Sequence, residues 1–142
     1  MSEIHESVGY LLAQLCKSHR YQADVGLNAM GLHVGQEMIL ARLWEEDGLS
    51  QSQLAGALCV EPPTVTKMLT RMERGGLVER RVDAADARVS RVYLTDTSRN
   101  LHTHVNAAWG SLETNMLRGF DPDEQLVLRN LLQRLLANLA AE

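Results

Sequence analysis

The sequence predicts a mainly α-helical chain carrying one small two-stranded β hairpin. Leu and Ala dominate the 142 residues, of which 45% are hydrophobic and only 4% aromatic, a composition that favours helices. Apolar residues recur at three- and four-residue steps along most of the chain. Between Leu77 and Thr95 that period gives way to the alternation of short strands. The length suffices for one compact domain, 1–142, with a core of its own.

Ile4, Val8, Leu11, Leu12 and Leu15 mark an amphipathic first helix from about Glu3 into the twenties, and His19 extends its stripe. "GLNAMGL", with Gly26 and Gly31, interrupts it. A second helix, about Val34 to Glu46, carries Met38, Ile39, Leu43 and Trp44 and stops at Gly48. Ser50 with Gln53 three residues later forms a capping-box signature for a short helix whose inner side is Leu54 and Leu58. After the tight link "CVE", Pro62 and Pro63 open a further helix at positions where a missing N–H costs little, and Gly75-Gly76 closes it. "LVERRV" and "SRVYLT" read as strands about the turn "DAADAR". Val92 and Leu94 fall on one face of the second strand, Arg91 and Tyr93 on the other. A long helix is expected from about Asp96 to Arg118, with Leu101, Val105, Ala108, Leu112 and Met116 along one side. The last helix begins at "DPDE", with Asp121 as N-cap, Pro122 in the first turn and Glu124 completing the box. Its apolar face is Leu128, Leu131, Leu132, Leu135 and Leu139. Two short helices across a tight turn, followed directly by a hairpin, describe a winged helix-turn-helix.

The charge is unevenly placed. The chain has a formal net charge of -4, yet residues 61–93 hold seven Lys/Arg against five acids. The remainder holds seven basic residues against thirteen acidic ones, so polyanion contacts are expected only in the middle of the chain. On the helix from Pro62, Val65, Met68, Leu69 and Met72 share one side at 100° per residue. The other side collects Pro63, Thr66, Lys67, Thr70, Arg71 and Arg74. Threonine can hydrogen-bond to bases or phosphates and offers a methyl to thymine, while Lys and Arg reach phosphates or guanine edges. The hairpin adds Arg81, Arg88 and Arg91, and an arginine on a wing suits the negative potential of a minor groove. Asp86, two residues before Arg88, is expected to hold the wing tip.

Several classes are disfavoured. No apolar run is long enough to span a bilayer, and "MSEIHESVGY" is no signal peptide, so a cytoplasmic protein without membrane attachment is expected. Cys16 and Cys59 lack metal-ligand spacing, and no metal or cofactor is expected. There is no nucleophile elbow and no phosphate-binding glycine loop, so the chain does not read as an enzyme.

The stretch "LSQSQLAGALCVEPPTVTKMLTRMERGGLVERRVDAADARVSRVYLT" resembles the MarR family of bacterial transcription regulators. "DARVSRVYLT" is similar to that family's wing signature, and "MERGGLVER" to its passage from recognition helix into wing. The resemblance implies a winged helix-turn-helix region over 33–95, flanked by dimerisation helices at 1–30 and 96–142. It implies a homodimer that binds double-stranded DNA at a pseudo-palindromic operator, typically as a repressor released by a small aromatic or lipophilic effector. DNA contacts are then assigned to Pro63, Thr64, Thr66, Lys67, Thr70, Arg71, Arg74, Arg81, Arg88 and Arg91. The effector cleft falls among the first, second and fifth helices, where His19, His33 and Arg42 are candidates to pair with a carboxylate or phenol. Two alternatives stay open: a thiol-based redox-sensing regulator using Cys16 or Cys59, and a winged helix devoted to protein–protein contact.

Overall fold

The computed structural model describes residues 3–140 and divides into two compact units, Met1–Trp109 and Gly110–Glu142. In the first unit a single 3-10 turn, Ile4–Glu6, leads into helix α1, Val8–Asn28. Ser7 caps α1, its hydroxyl oxygen accepting from the Tyr10 N–H at 3.1 Å. Only Ala23 and Leu27 of α1 are buried, so the stripe of Ile4, Val8, Leu11 and Leu15 stays exposed.

Helix α2 spans Gln36–Glu45 rather than starting at Val34. Gly35 precedes it with φ of 100°, a value that does not propagate a helix. Ile39, Leu40 and Leu43 of α2 form the centre of the core with Leu27, Leu32 and Leu54. Helices α3, Gln51–Leu58, and α4, Pro62–Arg74, make the helix-turn-helix. The Ser50–Gln53 box is complete, with Ser50 accepting from the Gln53 N–H at 3.1 Å and Gln53 accepting from the Ser50 N–H at 2.9 Å. The turn is made by Cys59 in the left-handed region, φ 53°, where its N–H closes back onto α3.

Strands β1, Leu49–Ser50, β2, Val78–Val82, and β3, Ser90–Leu94, form an antiparallel sheet ordered β1-β3-β2. The wing is thus β2 and β3, with Val78 opposite Leu94 and Val82 opposite Ser90. The third strand was not apparent in the alternation, because it is two residues long and exists only through pairing of Leu49 with Val92 and Ser50 with Arg91.

The helix expected over 96–118 is interrupted. Helix α5, Asp96–Asn100, is capped by the Thr95–Ser98 box, and α6 runs His102–Met116. At the break, Leu101 donates to Ser98 O in a tighter turn, and the same carbonyl accepts the Trp44 indole N–H at 3.1 Å. A continuous α-helix would give that acceptor to the His102 N–H. Trp44 also stacks on His102, with ring centroids 4.6 Å apart.

In the second unit, α7 spans Pro122–Ala140. Its box is as expected: Asp121 accepts from the Glu124 N–H at 2.8 Å, and Glu124 from the Asp121 N–H at 3.0 Å. No residue of α7 is buried. No helix among the described residues is long and apolar enough to cross a membrane.

Candidate nucleic-acid interface

Helix α4 is strongly two-sided. Val65, Leu69 and Met72 are fully buried and Met68 is half-buried. Pro63, Thr64, Thr66, Lys67, Arg71 and Arg74 are exposed, and Thr70 is half-buried. Among the described residues no carboxylate pairs with Lys67, Arg71 or Arg74, which leaves three cations available along one exposed helix.

The wing arginines divide into two kinds. Arg88 is 91% exposed at the tip and among the described residues pairs only with Asp86, two residues before it, at 3.1 Å. Arg81 lies over the Tyr93 ring at 4.4 Å and pairs with Glu79 at 3.2 Å, on the exposed side of the hairpin. Arg91 is instead built into the scaffold. Its Nε donates to Asp83 Oδ1 at 2.6 Å and its Nη1 to Gly48 O at 3.0 Å, tying the wing to the segment before β1. The sequence reading placed Arg91 with the DNA-contacting cations; its guanidinium is half-exposed and already engaged on two sides.

Asp83 organises the turn. Its Oδ2 accepts from the Ala85 and Asp86 N–H groups at 3.0 and 2.9 Å, while Asp86 Oδ1 accepts from the Arg88 N–H at 3.0 Å. Hydrogen bonding from Arg91 holds the Asp83 carboxyl below its ordinary range, and hydrogen bonding from Arg88 does the same for Asp86. Depressed carboxyls stabilise the turn fully above the unfolded pKa and cease to do so as pH falls through the folded one. Protection of the Ala85 and Asp86 amides from hydrogen exchange is therefore expected to fall once pH drops below about 4. Constant protection down to pH 2 (far below any ordinary carboxyl, about 4) would remove the carboxylates from this role.

Three further residues hold the interface together. Glu73 accepts from Arg80 Nη2 at 2.9 Å and from the Arg80 N–H at 3.1 Å, locking the end of α4 to β2. Asp47 accepts from the Leu94 N–H at 2.8 Å and pairs with Arg99 at 3.5 Å, joining the α2–β1 link to β3 and α5. Gln51 reaches from α3 to Thr66 Oγ1 at 3.2 Å. The Asp47-Gly48 pair is a turn signal in the sequence, whereas Glu73 and Gln51 carry no local mark of their partners.

The expected effector residues do not converge. His33 lines an open cleft of about 540 Å³ with Gln36, Arg71, Arg74, Thr97 and an apolar floor that includes Leu77 and Leu101. His19 instead meets the edge of Trp109, centroids 5.2 Å apart. Arg42 is exposed and 4.0 Å from Glu45. It sits six residues, about 120° of helix rotation, from Gln36 and is not among the residues that line the cleft. Cys16 and Cys59 are exposed free thiols. Among the described residues no group of three His, Cys, Asp or Glu side chains could hold a metal ion.

A helix-turn-helix whose second helix carries solvent-facing cations, followed by an arginine-tipped hairpin, defines a winged helix-turn-helix protein. The MarR family model matches residues 32–90. The crystal structure of transcriptional regulator PA3341 is 33% identical, with 96% of this chain and 100% of that one covered and a TM-score of 0.81. A probable transcriptional regulator from Pseudomonas aeruginosa is 27% identical over 94% of this chain and 99% of its own, at a TM-score of 0.85. The S. aureus MepR–DNA complex is 25% identical, covering 96% and 99% of the two chains at a TM-score of 0.84. The chain belongs to the MarR family and is a transcription regulator rather than an enzyme.

Proposed function

We propose that the protein is a cytoplasmic homodimeric repressor, in which α4 of each protomer reads one half of a pseudo-palindromic operator and the wing anchors it. The observation that carries this reading is the row of Lys67, Arg71 and Arg74 on α4, with no carboxylate partner among the described residues, beside a wing whose Arg88 is 91% exposed. In an otherwise acidic chain, this places uncompensated positive charge on a reading helix and at a groove-sized hairpin tip. Pro63, Thr64, Thr66, Thr70 and Arg81 complete the proposed contact surface.

DNase footprinting on the chain's own upstream region tests it. Protection is expected over two half-sites with centres roughly 10 base pairs apart, one helical turn. A single asymmetric half-site would contradict the symmetric dimer. The absence of protection on any duplex would favour a protein-contact module instead.

The cleft beside α4 supports a second element, release by a small lipophilic acid. Its lining combines His33, Arg71 and Arg74 with Leu77 and Leu101, and contains no acidic residue. A carboxylate there would pair with arginines that the DNA also needs.

A further inference from the structure

The three exposed or half-exposed threonines of α4 differ in what their hydroxyls have left to give. A threonine hydroxyl has one proton and two acceptor lone pairs. Thr66 donates that proton to Pro62 O, one turn back in its own helix, at 3.1 Å. One lone pair accepts from Gln51 Nε2 at 3.2 Å, fastening the exposed Thr66 to α3. Thr70 also spends its proton inside the helix, on Thr66 O at 2.9 Å, and accepts from Arg80 at 3.3 Å, but it is half-buried. The Thr64 side chain has no such partner among the described residues.

We infer that Thr66 reads the operator through its methyl group, as an apolar contact with the 5-methyl of a thymine, and not as a hydrogen-bond donor. The inference rests on the reading that α4 enters the major groove. With its proton committed, Thr66 cannot donate to the acceptors that guanine, adenine and thymine present there. With its oxygen held on two sides, the branch of Cβ that makes no bond is the methyl. The major groove distinguishes thymine by such a methyl, and apolar side-chain groups recognise it. The second lone pair could still accept from a base amino group, so the test must separate oxygen from methyl.

An operator is first selected from random duplex DNA with the full-length protein, and each thymine is then replaced singly by deoxyuridine, which removes only the methyl. For the natural protein, one position in each half-site should weaken binding about fourfold, the value of one buried methyl-sized group. Thr66→Ser keeps the oxygen and both of its bonds but lacks the methyl, so at that position it should bind thymine and uracil equally. Thr66→Val keeps a methyl and lacks the oxygen, so it should retain the fourfold difference. Circular dichroism confirms that both variants are folded. Coincident uracil penalties for the natural protein and Thr66→Ser at every position would overturn the inference, as would loss of the penalty in Thr66→Val. Selection of no duplex at all would instead overturn the underlying DNA reading, and the methyl contact with it.

Discussion

Replacing Leu136 and Leu139 together by glutamate is expected to give a folded monomer that no longer holds its operator. Helix α7 has no buried residue, and Leu126, Leu131, Leu132, Leu135, Leu136 and Leu139 are all exposed, Leu139 by 77%. The first unit shows the same pattern on α1, where Ile4 is 79% exposed and Val8, Leu11 and Leu15 are open to solvent. Burying one such side chain contributes about 1.5–3 kcal/mol. A monomer seldom leaves so many apolar groups along one helix in water. A second copy covers them most economically, because a two-fold axis lets the same stripe serve both protomers. Light scattering of the natural protein should therefore give twice the 15.8 kDa chain mass, and its melting temperature should rise with concentration. In the double glutamate variant two carboxylates would be buried without partners in the dimer but lie harmlessly in water in the monomer. The equilibrium moves to the monomer, and operator affinity should fall roughly 100- to 1000-fold as two linked half-site contacts become one. A natural protein that is monomeric yet binds a two-half-site operator tightly would refute the dimer.

Much of this architecture was legible because its causes are local. The boxes at Ser50–Gln53 and Asp121–Glu124 involve residues three apart, so spelling alone reveals them. The buried side of α4 follows from helical period, and Val65, Leu69 and Met72 lie where 100° steps put them. What escaped is made by distant partners. The helix break at Leu101 depends on an indole 54 residues from the carbonyl it binds. Strand β1 exists only because β3 lies beside it. The same reason blurred the candidate site. Cations can be counted in the sequence, but Arg80 and Arg91 are engaged by Glu73, Asp83 and the Gly48 carbonyl, none of them evident from spacing. For the expected effector residues, helix order alone does not give the angular position of each side chain: His33 lines the cleft beside α4, while His19 meets Trp109 and Arg42 lies near Glu45.

Arg88→Ala and Arg91→Ala should both weaken DNA binding, in ways that salt and heat distinguish. Arg88 is 91% exposed and among the described residues pairs only with Asp86, an exposed interaction of small value, so its removal should lower the melting temperature only slightly. If it meets a phosphate, each protomer releases one counterion fewer. The slope of log affinity against log salt should then drop by about 0.9 per protomer, and affinity by about eightfold per protomer at roughly 0.1 M salt. If it reads a narrow minor groove, the loss should be larger on A-tract flanks. Arg91 presents the opposite case. Its guanidinium spans Asp83 Oδ1 and Gly48 O, so alanine there frees the wing from the segment before β1 and leaves Asp83 without its cation. The melting temperature should fall, affinity should fall with the misplaced wing, and the salt slope should stay near that of the natural protein, because a cation already paired releases no counterion from DNA. An Arg91→Ala variant that melts normally but loses about 0.9 of salt slope would return Arg91 to the contact surface. An Arg88→Ala variant with unchanged affinity and slope would leave the wing a purely structural element.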